Sequence, residues 1–219
     1  SYHHAVSGMG ILTCRAVEGE MGIGKSALVS AFSAELPPNA RMVKIEASPV
    51  KSEVPYSVAA EAVRECIGTT GEEPFDDVVT LIARAGGGAA QGDASNPMVA
   101  RLAELATNVP LGGGDDEDPA YRRRLIASGL RSLFAAIALT QPLVVEAEGL
   151  QWVDAQSLEV FGEVLKVPDP LPILFLLVSR PDERCAALLE GVVRVEVQGL
   201  SPEEQVRLVE NRLGVREGV

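Results

Sequence analysis

Hydrophobic and polar positions alternate between two periods along this chain. Ile11 to Glu18 is a short, mostly apolar run with β-branched residues that ends in a glycine-rich turn, the pattern of a strand feeding a loop. From Lys25 to Leu36 the period becomes helical, with Leu28, Ala31, Phe32 and Leu36 expected on one face, and Pro37 and Pro38 stop the helix. Arg41 to Ala47 predicts a second strand and Ser57 to Ile67 a second helix. Val78 to Ala85 and Met98 to Ala106 look helical, while the low-complexity stretches 86–95 and 112–118 are expected to be flexible surface insertions. Tyr121 to Leu139 predicts a long helix opened by Arg122, Arg123 and Arg124, with Leu125, Leu130, Leu133, Phe134 and Ile137 along one side. Leu143 to Ala147 then reads as a strand, Ala155 to Leu165 as a helix, Leu171 to Val178 as a very apolar strand and Val192 to Val197 as a last, alternating strand. Five strands separated by helices predict an α/β fold with a mainly parallel sheet, although Thr13 and Arg15 are awkward in a strand buried on both faces. Ser201, Pro202, Glu203 and Glu204 form an N-cap, a first-turn proline and first-turn acids for a final helix to Leu213.

Composition narrows the classes of function. A chain of 219 residues, 47% hydrophobic, can bury a full core and fits one domain or one domain and the start of another. A net charge of -12 works against binding a nucleic-acid backbone, because an acidic surface repels a polyanion unless its basic residues are clustered. No apolar run approaches the roughly 18 to 20 residues that span a bilayer, so no membrane partner is expected. Cys14, Cys66 and Cys185 are odd in number and far apart, which points to neither a disulfide framework nor a metal site and suits a reducing, cytoplasmic setting. The chain lacks an initial Met and a leader pattern, so it is expected to be a piece of a longer protein; His3 and His4 are assigned no role.

The clearest chemistry lies between the first strand and the first helix. Gly19, Glu20, Met21, Gly22, Ile23, Gly24, Lys25 and Ser26 fit the spacing GxxxxGK[ST], and Ala27 follows inside the helix. Glycines let the backbone wrap with its N–H groups inward, and the helix turns its positive end to the same point, so this segment predicts a cradle for the phosphates of a nucleoside triphosphate. Lys25 is expected to reach the β- and γ-phosphates and Ser26 to hold Mg²⁺. The bland reading, a glycine-rich turn with a surface lysine, does not explain why a strand precedes and a helix follows.

Such a site needs a carboxylate at a neighbouring strand end to position the metal, and usually another nearby to orient the attacking water. Glu148 is the candidate metal carboxylate, in the segment Pro142 to Asp154 that continues as Ala155-Gln156-Ser157-Leu158. That segment resembles the P-loop ATPase domain of the STAND and AAA-like (ASCE) group, found beside class III adenylate or guanylate cyclase, LuxR-type regulator and kinase domains. Glu148, Leu150, Gln151, Trp152 and Asp154 carry the resemblance, with the phosphate loop, Pro55-Tyr56, the arginine-rich helix, Ser179-Arg180-Pro181 and Gly199 to Glu204. It implies a P-loop NTPase three-layer α/β/α sandwich of strand order 5-1-4-3-2, ligated by ATP and Mg²⁺. It also implies Arg180 sensing the γ-phosphate, a domain over 1–199, and a truncated helical lid beginning at 200–219.

Two positions depart from the resemblance. Gly149 stands where the family has its second acid, and Glu146 stands inside the strand where the family has an aliphatic residue. A carboxylate buried without a partner is costly, so Glu146 is expected to be paired or the strand shifted; Glu148 is preferred at the metal because a shift would spoil the match at Trp152 and Asp154. Asp154 is expected to cap the helix from Ala155, Trp152 to pack, and Arg122 to Arg124 to be a solvated helix start that could alternatively contact a neighbour's phosphates in self-association. The resulting expectation is a nucleotide-dependent regulatory switch with slow hydrolysis, coupled to an attached output domain. The alternatives are an active ATPase in which Glu146 or Asp154 replaces the lost acid, and a degenerate interaction module that binds no nucleotide.

Overall fold

The computed structural model describes residues 13–86, 95–109, 118–166 and 172–213. The two predicted insertions lie almost wholly outside the described residues, as do Ile11, Leu12, Leu171 and the residues after Leu213. Among the described residues five strands form one parallel sheet: β1 (Thr13–Glu18), β2 (Arg41–Glu46), β3 (Leu143–Glu148), β4 (Ile173–Ser179) and β5 (Val193–Glu196). Their spatial order is β2-β3-β4-β1-β5, the expected order read from the opposite edge, with the apolar β4 strand between β1 and β3.

The helices form unequal layers on the two faces. α1 (Lys25–Ala34) lies on one face, where Val29 packs with Val17, Val144, Leu174, Leu176 and Val178. The other face carries α2 (Ser57–Ile67), α3 (Phe75–Ala85), α4 (Pro97–Thr107), α5 (Pro119–Ala138) and α6 (Ala155–Lys166), whose apolar sides join Val43, Ile45, Val145, Phe175 and Leu177 in the main core. Alternation along β3 and β4 is what splits the core: Val144 and Leu174 face α1, while Val145 and Phe175 face the larger layer. The apolar face expected for α1 is corrected. Val29 is buried, with Phe32 and Leu36 partly covered beside it, whereas Leu28 and Ala31 are exposed. The helix therefore rests on the i, i+3, i+7 line of positions 29, 32 and 36, one step from the line expected.

Three loose ends of the sequence find their place here. Arg15 is only half-buried, because β1 has on one side the exposed strand β5 rather than a covered neighbour. Of the arginines opening α5, Arg124 is exposed as expected of a solvated start, but the other two are not: Arg122 pairs with Glu104 of α4 at 3.3 Å and lies over the Tyr56 ring at 5.5 Å, and Arg123 pairs with Glu163 of α6 at 2.7 Å and with Glu159. These contacts tie α5 to α4, to α6 and to the residue that precedes α2, so Arg122 and Arg123 are spent on the fold. No helix among the described residues is long and apolar enough to cross a membrane. The last helix, α7 (Pro202–Leu213), starts at the predicted N-cap, which the structure completes as a capping box, Glu204 N–H donating to Ser201 Oγ at 3.2 Å and Ser201 N–H to Glu204 Oε2 at 2.8 Å.

Candidate functional site

Parallel pairing brings the carboxyl ends of three strands together. Glu18 of β1 is in register with Ser179 of β4, and Val178 of β4 with Glu148 of β3. In open α/β sheets ligands bind outside these ends, and here a cavity of about 370 Å³ opens there. It is lined by Met21, Gly22, Gly24, Lys25, Ser26 and Ala27 from the phosphate loop and α1, by Val178, Ser179 and Arg180 at the end of β4, and by Glu148, Gly149 and Gln151 at the end of β3. Two larger hollows, of about 630 and 620 Å³, flank α6 and contain no residue of the phosphate loop.

The loop is held by its own backbone. Ile23 N–H donates to the Glu20 carbonyl at 3.4 Å, and Gly24 sits at φ 105 as the residue before α1, a conformation glycine adopts without a Cβ penalty. α1 has neither a side-chain cap nor an acidic residue in its first turn, so its N-terminal N–H groups and positive dipole end face the cavity uncompensated. Lys25 Nζ folds over the loop and donates to the Gly19 and Glu20 carbonyls at 2.7 and 2.8 Å. Of the residues expected to bind, Gly19 and Glu20 thus contribute carbonyls that steer the lysine. Ile23 packs against Gly19, where its Cγ2 would lie 3.0 Å from an added Cβ.

Ser26 Oγ donates a hydrogen bond to Glu148 Oε1, across 122 residues of sequence. A hydroxyl and a carboxylate are hard oxygen donors of the kind Mg²⁺ takes, and such a site uses one or two protein oxygens and leaves the rest to phosphates and water. The donor set therefore fits Mg²⁺, and among the described residues no cluster of three metal-binding side chains exists that would suggest a protein-only cage. Arg180 reaches over the loop, its Nη2 lying 2.9 Å from Met21 Sδ, while its backbone N–H donates to Gln151 Oε1 at 3.1 Å.

Glu146 lies on the same face of β3 as Glu148, one pleat further into the sheet, and it does not line the cavity. Burial pushes its carboxyl above the usual range; the Lys44 ammonium, 3.9 Å away on β2, pulls it back, and Glu148 pushes it up again. Its Oε2 has no hydrogen-bond partner among the described residues. The strand is not shifted: the misplaced acid is paired across to the neighbouring strand, and Glu148 faces Ser26.

Asp154, 2% exposed, is a cap for two helices. Oδ1 accepts from Ser157 N–H at 2.9 Å in its own helix and from Tyr56 N–H at 2.8 Å at the start of α2; Oδ2 accepts from Ser57 Oγ at 3.1 Å. Sequence reasoning found the first cap and missed the second, which explains why the Pro55-Tyr56 pair and Asp154 occur together. It also gave no role to Gln151, whose signal was its place three residues beyond Glu148. The thiols of Cys14, Cys66 and Cys185 are pushed up by burial to about 12, 12 and 11, which leaves them poor nucleophiles.

Known families agree with this geometry. A family model described as the AAA ATPase domain matches residues 2–177, a span that holds the phosphate loop, Glu148, Gln151 and most of β4. No curated protein matches the chain. With four-fifths of its length matched and a nucleotide-binding P-loop NTPase sheet around the motif, this chain belongs to the AAA ATPase domain family.

Proposed function

We propose that this domain binds ATP with Mg²⁺ and acts as a nucleotide-dependent regulatory switch that hydrolyses slowly. The observation that carries the reading is the meeting of Lys25, Ser26 and Glu148 in one cavity at the head of an uncapped helix. Lys25 exchanges its two loop carbonyls for the β- and γ-phosphates, and the N–H groups of residues 22–27 enclose them. Ser26 and Glu148 hold Mg²⁺, which when bound neutralises charge on the phosphates. Arg180 leaves Met21 for the γ-phosphate, so the arginine's position reports whether that phosphate is present.

Slow turnover follows from Gly149, which puts no carboxylate where water must be activated. Of the two substitute acids, Asp154 is committed to its caps and Glu146 stands outside the cavity, which favours the switch over an active ATPase. Residues 1–199 form the nucleotide domain in this reading. α7 opens a helical lid whose orientation follows the nucleotide and passes it to an attached output domain, with self-association as a further readout. Three free thiols suit a cytoplasmic setting.

Calorimetry with Mg-ATP tests the reading directly. The wild type is expected to bind, and ligand at 100 times Kd to add about 2.7 kcal/mol of stability, a rise of roughly 5 to 11 °C in melting temperature. Lys25→Ala is expected to lose both the heat and the rise. An unchanged affinity in that variant, or no binding by the wild type, removes the proposal and favours a degenerate interaction module.

A further inference from the structure

The polar side chains of the cavity can be assigned one by one. Lys25 is committed to the loop and its phosphates, and Ser26 and Glu148 to each other. Arg180 is a cation and cannot accept a proton from water. Ser179 follows Val178, which shares a face with Glu148, so it projects to the opposite side of the sheet; the residue is 1% exposed, and its hydroxyl is buried without a hydrogen-bond partner among the described residues. Gly149 has no side chain. Gln151 remains.

Its position is fixed from both ends. The turn Leu150–Trp152 closes with Trp152 N–H on the Gly149 carbonyl at 2.7 Å, and the Gln151 side chain anchors by accepting the Arg180 backbone N–H at 3.1 Å. Oε1 is used in that bond, while the amide Nε2 has no partner among the described residues on a side chain that lines the cavity. Its two hydrogens thus have no partner among the described residues, in the cavity that Lys25, Ser26 and Glu148 share.

We infer that Gln151 orients the hydrolytic water in this domain, a role that rests on the nucleotide reading above. The Nε2 amide holds the water oxygen in line with the γ-phosphorus. A bond forms from that oxygen to phosphorus as the bond to the bridging β–γ oxygen breaks; the electron pair leaves with ADP and the water proton passes to a phosphate oxygen. An amide aligns water but does not deprotonate it, so the turnover expected of this site is slow without being zero. The same residue links this step to Arg180, because the water and the Arg180 N–H are held by the two polar atoms of one carboxamide.

Single-turnover release of phosphate from Mg-ATP, run beside calorimetric Kd and melting temperature, tests the assignment. Gln151→Leu is expected to slow release by at least about tenfold, with Kd changed less than about threefold. Gln151→Glu keeps an acceptor for the Arg180 N–H and offers a carboxylate oxygen to the water, so release is expected to rise several-fold; a residue that merely props the Arg180 loop would leave this variant at the wild-type rate. Wild-type rates in both variants, or a wild type that binds Mg-ATP but releases phosphate no faster than buffer, overturn the role of Gln151 and leave nucleotide binding intact. Loss of binding in the wild type itself overturns both.

Discussion

At Gly149 a single missing side chain and a single backbone angle belong together. The residue sits at φ 77, and a Cβ built on it would lie 2.6 Å from the Ala47 carbonyl oxygen at the end of β2. Its own N–H donates to the Val178 carbonyl at 3.0 Å, so it cannot shift without releasing β4. Sequence comparison sees here only a lost acid; the structure adds that the present backbone has no room for one. Gly149→Glu is therefore expected to cost about 1–3 kcal/mol from the left-handed conformation alone, lowering the melting temperature by several degrees in calorimetry. It is not expected to speed phosphate release. A variant that melts with the wild type would mean the turn relaxes freely and that the lost acid, not the turn, is what this position selects.

Between elements the decisive contact is Asp154, which satisfies donors at the N-termini of α2 and α6 with one buried carboxylate. Removing it strands the part-buried Tyr56 N–H and the buried Ser157 N–H, and losing a cap costs about 1 kcal/mol per helix, with more for a buried donor left unpaired. Asp154→Ala is expected to lose about 2–4 kcal/mol in urea unfolding while its phosphate release per folded molecule stays at the wild-type rate. A stable variant with no hydrolysis would instead make Asp154 the substitute acid. The same contact marks the boundary of what the sequence could say. Strand and helix positions were legible because burial imposes periods of two and 3.6, and the phosphate loop was legible because its chemistry needs adjacent residues. What was hidden depends on residues far apart in the chain: Asp154 with Tyr56, Glu146 with Lys44, Arg123 with α6. The face of α1 was misread for a related reason, since Leu28 and Val29 are equally apolar and only the sheet decides which turns inward.

Across the whole molecule, cover over the sheet is greatest at the central strands β3 and β4 and falls toward the β5 edge, and local stability should follow it. All seven residues of β4 are buried and β3 is buried except at Glu148, with helices packed on the larger face. At the β5 edge all four residues of the strand are exposed, one side of it has no strand partner among the described residues, and α7 is exposed from Pro202 to Val209. Opening a segment costs little where few apolar contacts are lost, so native-state hydrogen exchange is expected to release α7 and β5 first and β3 and β4 last. Nucleotide binding acts on a different axis of this gradient. It ties the loop after β1 to the ends of β3 and β4, so Mg-ATP is expected to slow exchange in residues 19–27 and around Arg180 while leaving α3 and α4, on the opposite face, unchanged. If β5 proved as protected as β4 in the free protein, some contact outside the described residues would have to cover that edge. The gradient from core to edge would then no longer describe the chain.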